Sequence, residues 1–275
     1  RDAATLYEFW LYFILRDALK NRLGMQEIRA RKGGEEDGNH FFATSEKGGL
    51  QMNLAQNKES ISRFRWTSAN GEELGIHLFY NRVFNPSGEP LGGGTYSRRF
   101  RPDYTIVFFP AEYLAAAKWS KAEQLAAEAG RIGYLHFDAK YRIEDLRKVF
   151  GEDKDADLDK ERIETKATDT YRRGDLYKMH AYNDAIRRTA GSYVLYPGSD
   201  GEPKTDFVRY EEVVPGVGAF RLRPGDKQRR EACESALAGF IRDVLNHHVN
   251  SFSRDYRIRH WTHKTLKETA ASYEA

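Results

Sequence analysis

Cysteine is almost absent from this chain. Among 275 residues there is one, Cys233, which excludes an intrachain disulfide framework and zinc sites made of cysteine alone. It suits a reducing, cytoplasmic setting. Long apolar runs are missing too. The richest, Leu6 to Leu15, is shorter than the roughly 18 residues a membrane span needs. It also lacks the basic flank and cleavage site of a signal peptide. Neither sign of charge dominates: 44 Lys and Arg against 41 Asp and Glu leave +3. No global field therefore advertises nucleic acid, and local charge distribution carries the information. No Gly-Lys-Ser/Thr follows the glycine clusters at Gly33-Gly34 and Gly92 to Gly94, which argues against an ATP- or GTP-binding phosphate loop. The chain starts at Arg1 without methionine and enters an apolar helix almost at once, so a missing N-terminal part is expected.

What is present is a globular composition, 40% hydrophobic with 13% aromatic, long enough for one large domain with a substantial core. Thr5 to about Arg22 is apolar nearly all round and reads as a core helix. From Gly48 to Phe109 short β-rich runs follow, "LQMNLAQ", "ISRFRWT", "LGIHLFYNRVF" and "YTIVFF", with Asn70-Gly71 as a hairpin turn and 85–97 as a flexible loop. Residues 111–130 are alanine-rich and helical, closed by Gly130. A strand from Ile132 to Phe137 precedes an acidic stretch, and Asp175 to about Thr189 is a second helix with Gly191 as its stop. "SYVLYPG" and "GVGAFRLRPG" read as strands, and Gln228 to about Val249 as a long amphipathic helix. Strands alternating with helices indicate an α/β or α+β domain around one sheet.

One constellation carries chemistry. Asp103 follows Pro102 and opens the strand "YTIVFF", while Asp138 and Lys140 end the strand "IGYLHF". Proline is tolerated at a strand's first position, where no ladder donor is needed. The two-residue spacing puts Asp138 and Lys140 on one face. If the two strands pair antiparallel, all three side chains gather at one end of the sheet, the helix at 111–130 being an insertion between them. Two carboxylates brought together repel, and a hard divalent cation such as Mg²⁺ removes the conflict. A metal in such a place activates water and stabilises charge on a scissile phosphate, with the lysine orienting the water or offsetting the developing charge. Read alone, Asp138 and Lys140 also suit a surface ion pair, worth little to stability.

Pro102-Asp103 followed by Asp138-Ala139-Lys140 resembles the signature of the PD-(D/E)XK nuclease superfamily. "RPDYTIVF", "FDAKYR", "DLYKMHAYNDAI", "YVLYPG" and "GAFRLRPG" fall in the order seen in McrC-like restriction proteins, over about Leu6 to Leu245. The resemblance implies an α/β, restriction-endonuclease-like core with a central mixed sheet flanked by helices. It would cover residues 1–250, with an inserted helix at about 111–130 and an acidic loop at about 144–170, leaving 251–275 as a basic and aromatic tail. It implies a metal-dependent endodeoxyribonuclease of a restriction or phage-defence system. Asp103 and Asp138 would hold Mg²⁺, with Mn²⁺ able to substitute, and Lys140 would serve the attacking water. An AAA+ NTPase partner subunit goes with that reading, a homodimer would follow from the two active sites double-strand cleavage requires, and the lack of a long apolar run speaks against membrane attachment. The alternative is a non-catalytic DNA-binding or assembly module that keeps the fold.

Glu8, the only charge between Leu6 and Leu15, matches the helix-borne glutamate that such nucleases turn toward the metal. Thr5-x-x-Glu8 also spells a capping box. Lys178 and Tyr182, four apart on one helical face, stand where RecB-like relatives carry Q-x-x-x-Y; lysine in place of glutamine suggests a phosphate contact by a point charge. His180 on the same helix reads as a surface or satisfied histidine, whereas His260 and His263, with His247 and His248 upstream, offer a metal-site spacing without a partner motif and read as a basic surface. Arg254, Arg257, Arg259 and Lys264 interleave with aromatics and suit phosphate contact and base stacking, or else a solvated tail. Arg221 to Arg230 is a second basic cluster of the same kind. The acids from Glu152 to Glu164 read as a solvated flap, with a gate over the site as the sharper alternative.

Overall fold

The computed structural model describes residues 3–28, 42–44, 50–52, 60–86, 94–116, 119–141, 169–197, 216–225 and 227–273. Helix α1 (Ala3–Asp17) leads through a π-helical turn (Ala18–Arg22) to β1 (Gln26–Ile28), β2 (Phe42–Thr44), β3 (Leu50–Met52), β4 (Ser60–Thr67), β5 (Glu73–Tyr80) and β6 (Tyr104–Pro110). Two short helices, α2 (Glu112–Ala116) and α3 (Trp119–Glu128), then precede β7 (Gly133–Ala139). The chain closes with α4 (Asp169–Ala185), β8 (Thr189–Tyr196), β9 (Gly216–Arg221) and α5 (Lys227–Tyr273).

Seven strands form one sheet in the order β1-β4-β5-β6-β7-β8-β9, and β2 pairs with β3 apart from it. Pairing is antiparallel from β1 as far as β7, then parallel through β8 and β9. The α/β architecture with a mixed sheet and flanking helices is the one expected. β6 is buried along its whole length and β7 along all but its last residue. Their near-continuous apolar runs are therefore what a strand covered on both faces requires. Alternation divides them between two cores. Ile106, Phe108, Leu135 and Phe137 pack with α1 and α5, whereas Val107, Phe109 and Tyr134 pack with α3 and α4. Each such side chain contributes roughly 1.5–3 kcal/mol by burial, more than an exposed ion pair supplies. The core, not the charges, fixes where the strand ends lie.

The Asn70-Gly71 turn joins β4 to β5 as expected, with Gly71 at φ +79°. Gly130, at φ +74°, closes α3 and donates to the Ala127 carbonyl. Three expectations change. The first helix is α-helical only to Asp17. Gly191 does not stop the second helix, which ends at Ala185; it lies inside β8. There a Cβ would come within 2.6 Å of the Tyr193 ring, so the glycine serves side-chain packing. The last helix does not end near Val249 but runs on to Tyr273, taking in the segment read as a tail. No glycine or proline follows Gly239 to interrupt it. The acidic stretch 152–164 and the glycines at 33–34 and 92–93 lie outside the described residues.

Candidate active site

β6 and β7 run antiparallel with Tyr104 opposite Phe137, so one further step of the register sets Asp103 opposite Asp138. Directly opposed residues share a face, and here it is the face covered by α4. The Ala139 amide donates to Asp103 Oδ2 at 2.8 Å. The Asn81 amide donates to the Asp103 carbonyl at 2.8 Å. Asn81 is buried just beyond β5 at φ +58°, a left-handed conformation that asparagine adopts more readily than most residues. Sequence reasoning missed this support; an asparagine directly after a strand was its only signal.

Asp138 is wholly buried. Tyr182 donates its hydroxyl to Oδ1 at 3.1 Å, and Lys178 Nζ stands 2.5 Å from Oδ2. Lys140 Nζ is 3.5 Å from that same oxygen. Its own amide donates to the Leu195 carbonyl at 2.9 Å, extending the parallel ladder with β8. Lys178 and Tyr182 reach one carboxylate because they lie one turn apart on α4. The lysine that replaces the expected glutamine thus meets the acid itself. Burial, and then the Asp138 charge, push the Asp103 carboxyl well above the usual range, although Lys178 and the Ala139 amide act against this. Burial, and then the two aspartates, also drive the Tyr182 hydroxyl far up. It stays a donor at any working pH.

Glu8 approaches from the other face. Its Oε2 accepts the Tyr80 hydroxyl at 3.1 Å, and its carbonyl accepts the Tyr104 hydroxyl at 2.7 Å. Thr5 lies within the first turn of a helix that begins at Ala3, so it is not the residue that caps the helix. Glu8 is near enough to raise the Asp103 pKa. Yet among the described residues no three His, Cys, Asp or Glu side chains form a ready-made ion-binding group. Glu8 on α1 packs against Tyr80 and Tyr104 on one side of the sheet, while Asp138 meets Lys178 and Tyr182 of α4 on the other.

The family comparison assigns the chain as a whole. A family model described as the PD-(D/E)XK nuclease superfamily matches residues 5–119 and 121–201. The chain belongs to that superfamily. No curated protein and no solved structure matches it.

The basic residues near the C-terminus are placed elsewhere. Ser253 donates to Glu72 at 3.0 Å, and Glu72 precedes β5 at the end of the sheet away from the aspartates. The eight residues of β5 put roughly 23 Å between the two ends. Arg254, exposed on α5, is therefore not gathered with Asp138. Arg257, Arg259 and Lys264 continue along the same helix, with side chains outside the described ones. His180 is exposed. His248 packs on the Phe108 ring at 4.7 Å, and burial lowers its pKa to about 4. That is a core histidine.

Proposed function

We propose that this protein is a metal-dependent endodeoxyribonuclease that hydrolyses DNA phosphodiester bonds. The observation that carries the reading is the buried Asp138, opposed to Asp103 across β6 and β7 and touched by Lys140, Lys178 and Tyr182. The donor set suits a hard divalent cation: it is all oxygen, and two carboxylates meet where burial disfavours two negative charges. Mg²⁺ commonly takes one or two carboxylates and completes its shell with water and substrate phosphate. Asp103 and Asp138 would hold it, with Mn²⁺ as a substitute, and Glu8 would support the site from behind Asp103. Such a cation supplies charge neutralisation at the scissile phosphate and a more acidic water.

The chain's own residues do the rest. Tyr182 fixes the Asp138 carboxylate by donating to one of its oxygens. Lys140, with its side chain about a quarter exposed, faces both Asp138 and solvent, where a phosphate can arrive. It orients the attacking water and offsets charge developing on the phosphate oxygens. Lys178, somewhat more exposed, balances Asp138 and offers a positive point charge to the same phosphate. The role in restriction or phage defence and the AAA+ NTPase partner rest on the McrC-like order of motifs, and the homodimer on the two active sites that double-strand cleavage requires.

A non-catalytic DNA-binding module is the second reading, and one observation favours it: Tyr182 and Lys178 already occupy both oxygens of Asp138. Incubation of plasmid and linear DNA with the purified protein separates the two. Cleavage that needs Mg²⁺ or Mn²⁺, stops with chelator and disappears in Asp138→Ala and Lys140→Ala supports the nuclease. Equal cleavage by both variants refutes it, and no cleavage by the wild type with either metal favours the binding module.

A further inference from the structure

The eight residues 94–101, immediately before Pro102-Asp103, form no helix or strand and yet are fixed on three sides. The Thr95 amide donates to Asn85, the Tyr96 amide to Ala185, and the Arg187 amide to Gly94, at 3.1, 2.9 and 3.0 Å. Phe84 and Phe100 exchange both backbone hydrogen bonds. The Thr95 hydroxyl donates to the Arg98 carbonyl at 2.6 Å, and Thr95 and Phe100 are buried. What this frame holds outward is unusual. Tyr96 is 69% exposed, and Arg98, Arg99 and Arg101 are exposed beside it. The Arg187 guanidinium lies 4.8 Å from the Tyr96 ring centre, and that of Arg98 lies 5.0 Å from the Phe100 ring. No acid occurs from 94 to 102. Arg98 and Arg99 make no ion pair among the described residues.

We propose that this ledge binds an unpaired DNA strand leading into the active site, with Tyr96 stacking a base and Arg98 and Arg99 holding phosphates. The inference rests on the nuclease reading and deepens it by naming the form of substrate. An exposed tyrosine backed by a guanidinium on a rigid frame is a platform for a flat ring, and a base offers its face only when it has left the duplex stack. Arg98 and Arg99, which make no ion pair among the described residues, match a phosphate chain, since each phosphate neutralised releases counterions. The direction of the strand follows from the backbone. The Arg101 carbonyl accepts the Tyr182 hydroxyl at 3.4 Å, and that hydroxyl also bonds Asp138. A strand laid along the ledge therefore arrives at the paired aspartates.

The test is fluorescence anisotropy with labelled oligothymidylate and a blunt duplex of equal length, in chelator so that nothing is cut. Arg98→Ala with Arg99→Ala is expected to weaken single-strand binding about tenfold or more and to flatten the slope of log K against log salt by about 1.4, two contacts at about 0.7 each. Tyr96→Ala is expected to weaken single-strand binding by about fivefold or more, to change duplex binding less, and to be rescued by Tyr96→Phe. Thermal melting checks that the variants remain folded; all three positions are exposed, so little change is expected. Single-strand affinity and salt slope that match wild type in every variant would overturn the proposal. So would an equal loss for duplex and single strand in Tyr96→Ala. Divalent-metal cleavage assays keep the two readings apart. Wild-type cleavage with indifferent ledge variants refutes the ledge alone. Lost single-strand binding in a protein that never cleaves supports the ledge and refutes the nuclease.

Discussion

The face of the sheet covered by α3 and α4 holds two clusters of buried acids and cations, and the two are built to different purposes. Glu123 on α3 meets Arg82, and His77 donates to it from Nδ1 at 2.8 Å. The Arg82 guanidinium in turn lies over Phe79 at 4.4 Å. One acid is matched by one permanent cation. Burial alone would raise the Glu123 pKa, but Arg82 and His77 outweigh it and hold the carboxyl down at about 2. Asp138 has two lysines, but a second carboxylate, Asp103, stands opposite and is pushed up instead. A closed cluster contributes to folding. The Asp138 cluster is balanced in number, two carboxylates against two lysines, but both lysines lie at Asp138 and none pairs with Asp103 among the described residues, the kind of perturbed buried acid that functional sites collect.

The largest expected effect breaks the comparison at its functional end. Asp138→Asn should lower metal-dependent DNA cleavage by about a thousandfold and leave the urea midpoint near wild type, as gel assay and denaturation would show. The counterpart, Glu123→Ala, leaves Arg82 buried without its carboxylate and should cost about 3–5 kcal/mol of stability, read from urea melts. Acid sharpens the contrast further. Because the Glu123 pKa is lowered in the fold, its contribution is complete above its ordinary value of 4.5 and is lost as pH falls toward about 2. The urea midpoint of the wild type should fall across that window more steeply than that of Glu123→Gln. The smallest effect has the opposite sign. Asp103→Asn removes a repelling charge while keeping an acceptor for the Ala139 amide, so it should stabilise the metal-free protein by ~1 kcal/mol, seen as a higher Tm.

Much of the site was legible because strand chemistry is local. The two-residue spacing of Asp138 and Lys140 placed that acid and lysine on one face, and proline before Asp103 marked a strand start, but bringing Asp103 to them needed the antiparallel pairing that the fold supplies. The spacing of Lys178 and Tyr182 put both on one side of a helix, although only the fold shows that this side meets Asp138. Layering is what the sequence hides. Glu8 sits in the right helix, but α1 lies across the sheet from the α4 side chains that meet Asp138. Arg254 looks well suited to nucleic acid, but α5 delivers it to the far end of β5. The start of the ledge, residues 94–97, fell in the segment 85–97 that read as a flexible loop, because the backbone bonds to Ala185 and from Arg187 that fix it come from a distant segment. Gly191 looked like a helix stop, since nothing local announces the Tyr193 ring.

Calorimetric titration of Mg²⁺ or Mn²⁺ into the protein, repeated with Asp103→Asn and Asp138→Asn, tests the central claim most directly. The account predicts divalent-ion binding by the wild type that both substitutions abolish. Absence of binding by the wild type, or binding that survives both substitutions, would contradict it.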